Sequence, residues 1–153
     1  MSRAIAVVAL ALLHLTGRSQ VNDHEIRQQV LEKGVSDSTF IFGMWSESGG
    51  TETQLTLLGQ VTDTRGRCFK VMTSVWIWGL GKRATNRILI FSGTNRFLGQ
   101  YDAMVVDDLP DRLEQGSMVF VSERAEPSVE RVDLTRGLPM RFFLDRHGEF
   151  VFY

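Results

Sequence analysis

From Thr39 onward the chain repeatedly alternates apolar and polar side chains, the period-two pattern of strands with one buried face. The pattern predicts strands over Thr39 to Trp45, Thr53 to Val61, Arg67 to Trp78, Asn86 to Phe91, Phe97 to Val106, Met118 to Ser122, Met140 to Leu144 and Glu149 to Tyr153. Three tetrapeptides, Asp63-Thr64-Arg65-Gly66, Ser92-Gly93-Thr94-Asn95 and Asp145-Arg146-His147-Gly148, fall between such segments. In each, Asp or Ser opens a turn and Gly or Asn accepts a positive φ, so three β-hairpins are expected.

Two strands differ in what they bury. In Thr53 to Val61, Leu55, Leu57 and Val61 share one face and Gln54, Thr56 and Gln60 lie mainly on the other, the mark of a half-buried strand. In Arg67 to Trp78, Phe69, Val71, Val75 and Ile77 form one face while Met72, Trp76 and Trp78 occupy part of the other. Apolar side chains on both faces place this strand centrally, with something covering its second face.

The spacing predicts a helix over Asp23 to Lys33, with Asn22 as its cap, Glu25 reaching back as in a capping box, and Gly34 as its stop. Only Ile26, Val30 and Leu31 are apolar on it, a stripe that docks on a larger surface and cannot form a core alone. Between Asp107 and Gly116 the alternation breaks, and Pro110 and Gly116 suggest a connection that opens and closes a short helical turn. Arg124 to Gly137 is polar and contains Pro127, which predicts an irregular excursion with a short strand at Val129 to Leu134. The expected fold is mainly β (α+β): an N-terminal helix packed on a bent antiparallel meander sheet or partly closed barrel of about eight strands.

The first residues follow a different order. A charge at Arg3, an uncharged apolar run from Ala4 to Leu15, and then Gly17 and Ser19 as small residues around a cleavage point read as a secretory signal peptide over 1–19. A single β-rich domain over 20–153 follows. The apolar run is shorter than the roughly 20 residues of a spanning helix, so no stable membrane insertion is expected after signal removal. Cys68 is the only cysteine, which excludes an internal disulfide and suits a periplasmic protein more than a small secreted eukaryotic one, so the expected destination is the periplasm or the exterior.

The 153-residue chain is 43% hydrophobic and 23% charged, an ordinary globular balance. Removing Arg3 and Arg18 leaves 15 of the 17 basic residues against 18 acidic ones, a formal charge of −3. Such a domain has no electrostatic bias toward nucleic acid or anionic lipid, so no nucleic-acid partner is expected.

Candidate chemistry is concentrated in one place. Trp76 and Trp78 share a strand face and lead into Gly79-Leu80-Gly81-Lys82-Arg83, with Arg87 beyond, so two indoles beside a basic loop could stack a planar or sugar ligand and pair its anionic group. The structural alternative is that the helix covers both tryptophans. The Gly79-x-Gly81 pair lacks a third glycine, a preceding βαβ unit and a following helix, so it is no nucleotide loop. Arg65, Arg67, Lys70, Lys82, Arg83, Arg87 and Arg96 crowd the middle third, as an anionic partner or the protection of sheet edges would require.

Elsewhere the signals point to structure. Asp145, His147 and Glu149 alternate, as a metal site or an acid–base pair would require, but His147 precedes Gly148 in a predicted turn and reads as a solvated turn residue, with no second histidine or cysteine to complete a ligand set. Adjacent Asp107 and Asp108 point apart on an extended chain and read as a soluble loop. Cys68, between Arg67 and Phe69, has no base that can be placed beside it, and no Gly-x-Ser-x-Gly elbow occurs. No catalytic residue, metal ligand or cofactor is assigned.

Gly43-Met44-Trp45, after a short helix and before about seven more strands, resembles the opening of a lipocalin. The resemblance covers those three residues and the strand count, and implies a carrier whose Phe, Trp and Met side chains line a cavity for a hydrophobic small molecule. The sequence therefore predicts an exported, non-catalytic binding module for a protein or small ligand, with such a carrier as the alternative and a small hydrolytic enzyme using His147 as a third reading.

Overall fold

The computed structural model describes residues 23–123 and 126–153. The predicted leader over 1–19, the start at Gln20 and the Asn22 cap lie outside the described residues. Helix α1 (Asp23–Lys33) has the predicted bounds and buries Ile26, Val30 and Leu31. Gly34 closes it at φ 62°, donating its N–H to the Val30 carbonyl at 3.2 Å.

Five strands follow as an antiparallel meander in chain order: β1 (Thr39–Gly43), β2 (Glu52–Thr62), β3 (Cys68–Trp78), β4 (Arg83–Ser92) and β5 (Phe97–Ala103). A 3-10 turn at Val106–Asp108 leads to β6 (Arg112–Glu114), β7 (Ser117–Ser122) and β8 (Ser128–Asp133), which form a second sheet. A hairpin of β9 (Arg141–Leu144) and β10 (Gly148–Val151) completes the chain. Among the described residues there are thus ten strands rather than about eight, in three antiparallel sheets that do not close into a barrel.

Of the two further strands, β8 falls where a short strand is expected at Val129 to Leu134, and β6 comes from the segment read as a connection. Its helical turn precedes Pro110 rather than following it, and Gly116 ends no helix. Gln115 and Gly116, both at positive φ (50° and 77°), instead form the two-residue hairpin turn that joins β6 to β7. The three hairpins expected from turn chemistry do form, between β2 and β3, β4 and β5, and β9 and β10. In the first, Asp63 accepts from the Arg65 and Arg67 backbone N–H groups at 2.9 Å each, while its other oxygen pairs with the Arg67 guanidinium at 2.7 Å.

β3 is the middle strand, and the central sheet is covered on both faces. On one face α1 packs Ile26, Val30 and Leu31 against Leu55, Leu57, Met72, Leu89 and Phe91. On the other, Phe69, Val71, Ile88, Ile90 and Tyr101 meet Met118, Phe120, Val132 and Leu134 of the second sheet and Leu144 and Phe150 of the hairpin. One expectation about β2 fails here: Leu55 and Leu57 face the helix, but Val61 joins Leu58 in the opposite core. A bulge between Leu57 and Gly59 inserts one residue and reverses the alternation beyond it.

The two edges of the central sheet are treated differently. Along β5, Gln100 and Tyr153 exchange backbone hydrogen bonds of 2.9 and 3.1 Å, and Tyr101 bridges to Phe152. Gly99 allows this, because a Cβ there would stand 2.5 Å from the Phe152 ring. Along β1, no strand among the described residues pairs with the outer side.

Candidate functional site

Among the described residues, two regions gather candidate site residues. The first lies on the helix-side face of the central sheet, beyond the part that α1 covers. β3 projects Met72, Ser74, Trp76 and Trp78 onto this face, and the helix takes Met72 but neither indole into its cluster. Trp76 and Trp78 stack with centroids 5.5 Å apart and rings inclined by 24°, and Trp76 remains 36% exposed. The helix therefore does not cover both tryptophans.

Local contacts hold this region. The Trp78 indole donates to Thr85 Oγ1 at 3.2 Å, and the Arg83 guanidinium, opposite Trp78 in the ladder, lies 5.5 Å from its ring centre. Trp45 donates its indole N–H to the Gly79 carbonyl at 2.8 Å, and Lys82 Nζ lies 5.1 Å from the Trp45 ring. The β3–β4 turn is thereby pinned by an aromatic ring from the β1–β2 loop. Trp45 itself follows β1, which ends at Gly43 and not at Trp45 as the alternation implied.

Arg87 sits on the same face one ladder step nearer the helix, opposite Ser74. Its Nε lies 3.7 Å from Asp102 Oδ1 and makes no hydrogen bond. Burial lowers the pKa of Arg27 on α1; Asp23 opposes this, and the Arg87 charge adds to the lowering. The sequence-predicted residues Trp76, Trp78, Arg83 and Arg87 thus share one face, with Lys82 at its end engaged with a third indole. Trp45 has no local signal for this role, because its partners Gly79 and Lys82 lie about 35 residues further along the chain.

The second region overturns two expectations. His147 is 9% exposed rather than solvated, and Asp108 is buried rather than part of a soluble loop. His147 Nδ1 lies 3.1 Å from Asp108 Oδ1, while Asp108 Oδ2 accepts from the Val105 N–H at 3.2 Å. The imidazole packs beside Phe120, and its Nε2 makes no hydrogen bond, standing 3.9 Å from Glu130 Oε2. Asp145 and Glu149 do not join it: the Asp145 N–H is bound by Glu130 at 2.7 Å and Glu149 pairs with Arg141 at 3.2 Å. The turn at 145–148 is anchored inward by Glu130 on β8, which sequence proximity did not reveal.

His147 and Asp107, Asp111, Ser122 and Glu123 line a cleft of about 490 Å³. Asp111 is fixed there by accepting the Val121 N–H at 2.7 Å. Among the described residues no group of three His, Cys, Asp or Glu side chains is placed to hold a metal ion. No family model, curated protein or solved structure matches this chain.

Proposed function

We propose that this protein is an exported, non-catalytic binding module that uses the open part of its central sheet face. The observation that carries this reading is the Trp76–Trp78 stack, which lies on the central strand yet outside the helix-covered core. Stacked indoles favour a flat apolar or sugar ring, and Arg83 and Arg87 on the same face favour an anionic group on the ligand. A protein partner would meet the same surface through an acidic and aromatic segment. The export reading rests on the charge, apolar run and small residues of 1–19, and places the protein in a periplasm or outside the cell.

The carrier alternative is weaker, because Val71, Ile88, Ile90, Met118 and Phe120 fill the space between the sheets in place of a ligand. One observation favours an enzymatic reading, the buried His147–Asp108 pair at the wall of a cleft. An aspartate that accepts from Nδ1 leaves Nε2 as a base, as hydrolytic chemistry requires.

Tryptophan fluorescence of the full chain, titrated with acidic sugars, fatty acids and sterols, tests the proposal. A saturable change that disappears in a folded Trp76→Ala variant is the expected result. A saturable response that Trp76→Ala leaves intact moves the site elsewhere.

A further inference from the structure

β1 is an edge strand whose sequence is Thr-Phe-Ile-Phe-Gly, without a charge or a proline. Proteins ordinarily protect such edges with lysine, proline, a bulge or a covering segment, because a row of free backbone donors and acceptors templates another strand. Here Ile41 is 61% exposed and Met44, just past the strand, is 76% exposed. The opposite edge of the same sheet is met by Phe152 and Tyr153 of the same chain.

We propose that β1 is a self-association edge: two copies pair β1 antiparallel about a two-fold axis at Ile41, joining their five-stranded sheets into one. The register follows from the sequence. Centred on Ile41, the pairing sets Ile41 against its own copy and Phe40 against Phe42 on the helix side, and the ladder ends where Gly43 turns to φ 76°. Every opposed pair is uncharged, so the paired strand residues themselves carry no like-charge penalty, which a strand bearing even one central lysine would incur. The phenylalanines extend an existing apolar layer, since Phe40 and Phe42 already pack against the helix-side cluster. A two-fold contact of this kind uses the same patch on both copies and closes on itself. With Phe152 and Tyr153 on the β5 edge, assembly stops at two.

Sedimentation velocity of the full chain over a concentration series reads the association, alongside hydrogen exchange at 39–43. The expected result is a reversible monomer–dimer equilibrium in which the outer β1 amides gain protection as concentration rises. Ile41→Lys, at an exposed position that tolerates the change, places two ammonium groups opposite each other and should weaken the dimer by at least about tenfold. Ile41→Val should preserve it. A monomer at all concentrations, a dimer that Ile41→Lys leaves unchanged, or open-ended growth in place of a dimer would each overturn the proposal. An association driven by the apolar residues 4–15 falls under the second of these results, since Ile41→Lys leaves that segment intact. The exchange measurement on the unaltered chain stands even if Ile41→Lys does not fold.

Discussion

The indole face and the His147 cleft are assembled in opposite ways. Trp76 and Trp78 are two residues apart on one strand, so the pleat alone brings them together, and Arg83 arrives through the adjacent turn. His147, Asp108 and Glu130 come from the last hairpin, a 3-10 turn and β8, and meet only because the hairpin docks on the second sheet. The first region is local and partly exposed, whereas the second is long-range and buried. A group of the first kind is cheap to remove and free to bind. One of the second kind is held by the fold and in turn holds it.

The largest expected effect is therefore at the cleft. His147→Ala deprives buried Asp108 of its partner and opens space beside Phe120, and should cost about 3 kcal/mol in urea unfolding. A cost below about 0.5 kcal/mol, the range of ordinary surface changes, would show that the pair does not secure the hairpin.

A smaller effect is expected at Tyr101, whose buried hydroxyl donates to the Pro139 carbonyl at 2.7 Å beneath the same hairpin. Tyr101→Phe should cost about 1 kcal/mol at neutral pH. Burial raises the Tyr101 pKa, so its contribution is present below the unfolded value of about 10 and is lost as pH rises through the higher folded value. The unaltered chain should lose stability in strong alkali more steeply than Tyr101→Phe. Parallel alkaline profiles would mean that the phenol is accessible in the folded protein.

The smallest effect should be Trp76→Ala, at under about 1 kcal/mol, although it truncates the larger side chain. Thermal melting with tryptophan fluorescence checks this, and a cost matching that of His147→Ala would erase the contrast between an open face and a structural cleft.

Much of the fold was legible because its causes are local. The helix bounds follow from Gly34 and a three-residue apolar stripe, and three hairpins follow from Asp63, Ser92 and Asp145 each opening a turn that ends at Gly or Asn. The failures are equally particular. A bulge at Leu58, marked in Leu-Thr-Leu-Leu-Gly only by the doubled leucine and by Gly59 at φ 135°, sends Val61 to the other core. At Gln115-Gly116, a glycine ambiguous between ending a helix and turning a hairpin took the second role because β7 offered a ladder for β6.

By itself the sequence determined most of the strands, three of their turns, the accessory helix and the placement of two indoles on one face, since each depends on residues within a few positions of one another. Tertiary structure decided which part of that face the helix covers, that the sheets remain open, and that His147 is buried against Asp108. These depend on contacts between segments distant in the chain, whose pairing is selected by the packing of whole layers and leaves no periodic trace in the sequence.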